Sequence, residues 1–131
     1  MRQEVEIEYK GKLPSVNHMY GRNPWGSTYL KPEGKALKQQ IYWTNKEKLP
    51  RDVEIGYELV IRGQWYNAKT AKTKIKKRDS NNLIKLIIDA CCEALDIDDS
   101  QIFQEQVVKQ HSVNEGFTVK FFVLNNFNQL D

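Results

Sequence analysis

Residues 80–95, SNNLIKLIIDACCEAL, carry the pattern that most restricts what this chain can fold into. Leu83, Ile87, Cys91 and Ala94 recur at spacings of three and four, and Ile84, Ile88 and Leu95 widen that apolar side. The spacing predicts an amphipathic helix from about Ser80 to Leu95, with Asn82, Lys85, Asp89 and Asp96 on the other side. So broad an apolar face has to be buried against another layer. Alternating segments on both sides of the helix provide one. Val5, Ile7 and Tyr9 alternate with Glu4, Glu6 and Glu8 over 3–9; Val53, Ile55, Tyr57, Leu59 and Ile61 alternate over 52–62; Phe117, Val119, Phe121 and Val123 alternate over 116–124. A period of two marks strands.

A further strand is expected over roughly 102–111, with Asn114-Glu115-Gly116 as a hairpin turn into the last strand. An earlier helix should begin near Pro32, a residue favoured at the first helical position, and end before Pro50. Leu37, Ile41 and one of Tyr42 and Trp43 give it an apolar side. The expected order is β-α-β-α-β-β, an α+β fold in one domain spanning 1–131, with a small mixed sheet and helices on one face. Phe122 and Leu124 fall on the sheet face opposite Phe117, Val119 and Phe121. Both faces would then need cover, the second from another subunit. Residues 10–31 are rich in Gly, Pro, Asn and aromatics and read as a long functional loop.

A chain of 131 residues fits one domain, and 40% hydrophobic residues suffice for one core. No apolar run approaches the ~20 residues of a membrane span, and MRQEVEIEYK has no apolar signal-peptide core. The expectation is a soluble cytoplasmic protein. Adjacent Cys91 and Cys92 match no metal spacing and read as reduced packing residues.

The net charge is only +3, but its distribution is uneven. Lys69, Lys72, Lys74, Lys76, Lys77 and Arg78 fall within ten positions free of acids. Each can neutralise a DNA phosphate, although such a run can also be a plain solvated segment. It ends directly at Asp79, and the helix then leads to Asp98 and Asp99. Carboxylates beside a phosphate-binding run weaken binding unless a cation reverses the sign, and Mg²⁺ takes one or two carboxylates together with substrate phosphate. Each acid also has a simpler reading. Asp79 can cap the helix. Lys85 and Asp89 can form an i,i+4 surface pair. Asp98 and Asp99 can be turn residues. Tyr20, Trp25 and Tyr29 interleave with Lys12, Arg22 and Lys31, so they can stack on unpaired bases or pack over the sheet. His18 is a lone loop histidine that can contact phosphate or do nothing chemical.

Taken together, KKRDSNNLIKLIIDACCEALDIDDSQI (76–102) resembles the signature of RusA-type Holliday junction resolvases: a basic lead-in, D-x-D-N-L-x-K, a D-A-L-type helix, then D-D-x-Q-[IV]. LPSVNHMY (13–20) and TYLKPEGKALKQQI (28–41) resemble that family's segment ahead of the first helix and its entry into it. The resemblance implies a homodimeric, Mg²⁺-dependent endonuclease, with Mn²⁺ able to substitute. It acts on four-way DNA junctions in recombination and repair and is often carried by prophages. It implies that Asp79, Lys85 and Asp99 are catalytic. It further implies that Asp79, position 81, Asp98 and Asp99 hold the metal, and that Lys69, Lys72, Lys74, Lys76, Lys77 and Arg78 bind DNA. One position departs: the second Asp of D-x-D is Asn81, which keeps an oxygen donor but removes a charge. A junction-binding homologue with weakened or absent cleavage is therefore the alternative. Asp89 stands ten residues after Asp79, roughly 15 Å along a helix, which argues against one shared metal. A helix of about 16 residues is roughly 24 Å long, so the acidic turn reaches Asp79 only by folding back, by an earlier helix end, or from a second subunit.

Overall fold

The computed structural model describes residues 3–14, 20–22, 24–26, 28–66 and 81–124. Strands β1 (Glu4–Lys10), β4 (Ile55–Gly63), β5 (Ile102–His111) and β6 (Gly116–Val123) form a mixed sheet in the order β1-β6-β4-β5. Helices α1 (Pro32–Thr44) and α2 (Asn81–Leu95) complete the expected β-α-β-α-β-β sequence. Inside the long loop expected over 10–31, β2 (Tyr20–Arg22) and β3 (Thr28–Leu30) pair as a small antiparallel ribbon.

One sheet face carries Val5, Ile7, Ile55, Tyr57, Leu59, Ile61, Phe117, Val119 and Phe121, all buried in one cluster with Leu37 and Ile41 of α1 and nine residues of α2. Both helices therefore lie on that face, as expected. α2 is buried more widely than a surface helix because α1 packs on it as well as the sheet. α1 ends earlier than its sequence limit. Asn45 is extended, and the following residues run along the end of α2, where the Leu49 N–H donates to the Leu95 carbonyl and Leu49 is buried.

Two expectations about the sheet are corrected. First, 112–115 is not a hairpin turn between paired strands. β6 pairs antiparallel with β1 and β4, while β5 pairs parallel with β4. β4 takes the position between β6 and β5 because six of its nine residues are buried, whereas β5, IFQEQVVKQH, is polar enough for an edge. Gly116 makes the close passage possible: its φ is +152°, and a Cβ there would run into the Tyr9 carbonyl. Second, the far sheet face is not a large apolar surface awaiting cover. It carries Glu4, Glu6, Glu8, Glu58 and Lys120, and Phe122 is already buried within the chain. Its ring lies across Gly56, where a Cβ would come within 2.6 Å of it.

The parallel β4–β5 pair requires a crossover, which α2 supplies. α2 consequently runs opposite to both strands. Its first residues lie toward their C-terminal ends, and its last toward their beginnings. Among the described residues no helix is long and apolar enough to cross a membrane.

The Gly56–Phe122 contact gives a direct test. Gly56→Ala is expected to lower stability by about 1–3 kcal/mol through overpacking, read as a lower urea midpoint with an unchanged slope.

Candidate nuclease site

α2 stops at Leu95 through a reversal of the chain. The Asp96 N–H donates to the Glu93 carbonyl and the Ile97 N–H to the Cys92 carbonyl, with Asp96 at φ 59°. This pair of bonds closes a helix end around a left-handed residue. Ile97 is buried, so the turn is anchored as well as reversed. The chain thus turns back on itself after Leu95, while Asp79, which this turn would have to reach, lies outside the described residues.

The short 3₁₀ turn Asp99–Gln101 follows. Gln101 is the buried polar residue of the described core and fixes this turn from below. Its Nε2 donates to the carbonyls of Pro50 and Val53, both at 3.1 Å, and its Oε1 accepts from the Asp98 N–H at 2.9 Å. Each bond satisfies a group that would be costly to leave unpaired away from water. With Gln101 tied down, Asp98, Asp99 and Ser100 are left exposed. Ser100 Oγ donates to Asp98 Oδ2 at 2.6 Å, and this bond, ahead of contacts with Asp99 and the Arg51 charge, holds the Asp98 carboxyl below its ordinary range. The result is a fixed, solvent-facing, ionised carboxylate beside a second one. Gln101 was missed as a functional support, although Asp98-x-x-Gln101 has the spacing of a capping box and could have revealed it.

The turn folds toward one flank of α2. Burial first, and then the charges of Asp89, Asp99 and Asp98 in that order, raise the Cys92 thiol to about 12. Burial likewise raises Tyr57 to about 12, helped by the Glu105 carboxylate and by Cys92. Cys92, Tyr57, Glu105, Asp89 and the acidic turn thus share the flank of α2 that faces β5. Asp89 belongs to this neighbourhood: among the described residues it forms no ion pair with Lys85, so the i,i+4 surface pair is not made.

Asn81 and Lys85 sit at the other end. Asn81 opens α2, and Lys85 is exposed one turn later. Eleven residues separate Asn81 from Cys92, roughly 16 Å along the axis. Within one chain Asp89, Asp98 and Asp99 all act electrostatically on Cys92, near the end of α2, while Asn81 and Lys85 lie at its beginning. Among the described residues no three His, Cys, Asp or Glu side chains are grouped to hold a metal ion. Asp79, the basic residues Lys69, Lys72, Lys74, Lys76, Lys77 and Arg78, and His18 lie outside the described residues. Of the loop aromatics, Trp25 is 86% exposed at the turn between β2 and β3. Cys91 and Cys92 are free and buried, as expected.

The fold and the anchored turn describe a small α+β protein that presents hard oxygen donors to solvent at a helix end. The family model for endodeoxyribonuclease RusA matches residues 11–121, and the chain belongs to that family, whose members are DNA-cutting enzymes. No curated protein is matched by the chain.

Removing the anchor should be measurable. Gln101→Ala is expected to cost about 1–3 kcal/mol by orphaning the Pro50 and Val53 carbonyls, seen in urea denaturation. A second test uses the thiols. Folded Cys91 and Cys92 stay protonated at pH values where the unfolded thiols ionise. Above the ordinary thiol range the unfolded state therefore binds fewer protons, so stability should fall as pH rises from about 9 toward 12. Urea titrations across that range should show the fall, and Cys91→Ala/Cys92→Ala should flatten it.

Proposed function

We propose that this protein is a divalent-metal-dependent, structure-selective endonuclease that resolves four-way DNA junctions in recombination and repair, acting as a cytoplasmic homodimer. The observation that carries the reading is the match to the RusA family across residues 11–121, which includes both the acidic turn and the start of α2. The chemistry of the turn supports it. Asp98 and Asp99 are exposed carboxylates on a fixed backbone, and the Ser100 hydrogen bond keeps Asp98 ionised. Hard oxygen donors of this kind suit Mg²⁺, with Mn²⁺ as a substitute. Asp98, Asp99, Asp79 and the Asn81 carbonyl would hold the ion, which supplies Lewis-acid activation of the phosphoryl group. Lys85 would contact the scissile phosphate and steady the charge that develops there. Lys69, Lys72, Lys74, Lys76, Lys77 and Arg78 would hold the DNA arms through phosphates.

Asn81 makes the metal set one charge short of the family pattern. The test is a synthetic four-way junction incubated with Mg²⁺ beside a linear duplex. The expected result is paired cleavage of the junction, loss of cleavage on chelation, and an increase for Asn81→Asp. Binding of the junction without cleavage by either form would reject the enzyme reading. Neutralising Lys74, Lys76 and Lys77 should lower the slope of log K against log salt by about one unit per lost phosphate contact; an unchanged slope would remove that run from the DNA interface.

A further inference from the structure

β4 ends at Gly63, and the chain then passes through Gln64, Trp65 and Tyr66 on its way to the basic segment at 69–78. This exit is fastened to the end of β5. Trp65 is buried, and its indole N–H donates to the carbonyls of Ile61 at 3.3 Å and Gln110 at 3.1 Å. Its backbone N–H donates to His111 Nδ1 at 3.1 Å. The Lys109 ammonium lies 5.0 Å from the centroid of the Trp65 ring, within cation–π range. Lys109 and His111 pair in register with Ile61 and Gly63, so both stand on the helix side of the sheet.

The fastening leaves two groups facing outward. Because Nδ1 accepts the Trp65 N–H, the hydrogen of the neutral His111 ring is on Nε2. Among the described residues nothing accepts a hydrogen bond from Nε2. Tyr66 meets His111 edge to face, with ring centroids 5.2 Å apart and planes at 74°. Such a contact engages at most one face of the tyrosine ring, and Tyr66 is 39% exposed and outside the core cluster. Its ring is therefore held in place without being covered.

The position gives this arrangement a use. It lies at the C-terminal ends of β4 and β5, the end toward which α2 begins with Asn81 and Lys85. An open aromatic face, a ring N–H and an ammonium group stand together at the root of a cationic segment. The ring face suits a nucleobase, and the two donors suit its phosphate. Bases inside a continuous duplex are stacked on both sides and offer no free face, whereas unpaired bases do. We propose that Tyr66, His111 and Lys109 form a subsite for one unstacked nucleotide, with the base on the Tyr66 ring and the phosphate on His111 Nε2 and Lys109. The choice of DNA as ligand rests on the junction-nuclease reading.

Binding is measured in EDTA, so that cleavage does not enter, on a short single strand, a four-way junction with unpaired bases at its centre, and a linear duplex. Tyr66→Ala is expected to weaken the first two about tenfold and to leave the duplex unchanged. The slope of log K against log salt should not move, because stacking releases no counterions, whereas Lys109→Gln should lower it by about one unit. Tyr66→Phe and Tyr66→Trp should bind as wild type does. Tyr66→Leu, which keeps apolar bulk without an aromatic face, should behave as Tyr66→Ala does and decides the matter if that variant fails to fold. 2-Aminopurine at the junction centre should be quenched by the wild type and not by Tyr66→Leu. Wild-type affinity in Tyr66→Leu, an equal loss on the duplex, or an equal loss in Tyr66→Phe overturns the subsite. Single-strand binding through Tyr66 by a protein that never cuts junctions would support the subsite and reject the nuclease reading. Junction cleavage that Tyr66→Leu leaves intact at limiting DNA would do the reverse.

Discussion

The parallel pairing of β4 with β5 is the constraint on which most of the molecule depends. Two parallel neighbours cannot be joined by a hairpin, so the chain has to cross back over the sheet. α2 makes that crossing and buries nine of its fifteen residues between the sheet and α1. Because the crossing runs against the strands, the residues at its two ends are held far apart. Asn81 and Lys85 are at one end, and the Asp96–Gln101 turn is at the other. A rigid helix thereby spaces the two parts of the candidate site, and closing that gap within the chain would require breaking the most apolar element of the core.

The acidic turn depends on a small number of polar contacts with large consequences. Three hydrogen bonds from one buried glutamine join residues 50, 53 and 98, which are distant in sequence. They tie the entry to β4, the end of α2 and the start of β5 into one junction. An exposed aspartate pair on a loose loop would sample many geometries, and a cation that demands near-octahedral oxygen would bind it poorly. Anchoring the turn through Gln101 leaves the carboxylates free while restricting their backbone.

The sequence made the elements legible and left their pairing less so. The alternation in 3–9, 52–62 and 116–124 and the three-four spacing of 80–95 are local signals, and the strands and α2 lie within a few residues of where those signals place them. Strand order is a non-local property. Nothing local distinguishes a hairpin at 112–115 from a short passage around the end of β4, and the outcome is decided by burial: an apolar β4 takes the interior and a polar β5 the edge. Phe122 shows the same limit. Its phase on the strand places it correctly on the far face, but only the paired register shows that Gly56 leaves room for its ring. At the site, helix length alone indicated that Asp79 and the acidic turn could not meet along a straight helix, and the described start of α2 at Asn81 is remote from that turn. The nearness of Asp89 to the turn was not legible, because it comes from the reversal at Asp96.

The charge pattern follows from the same geometry. The charges of Asp89, Asp98 and Asp99 all help keep the Cys92 thiol protonated. Such a concentration of negative charge opposes a polyanionic substrate, and a net charge of +3 on the whole chain is too small to cancel it by bulk attraction. Two things can offset it locally: a bound cation, and basic residues brought close. Lys85 is the described α2 residue suited to the second role, yet it is one turn from Asn81 and remote from the turn in its own chain. An acidic end without its lysine and a lysine without its acids are each poorly matched to a phosphodiester.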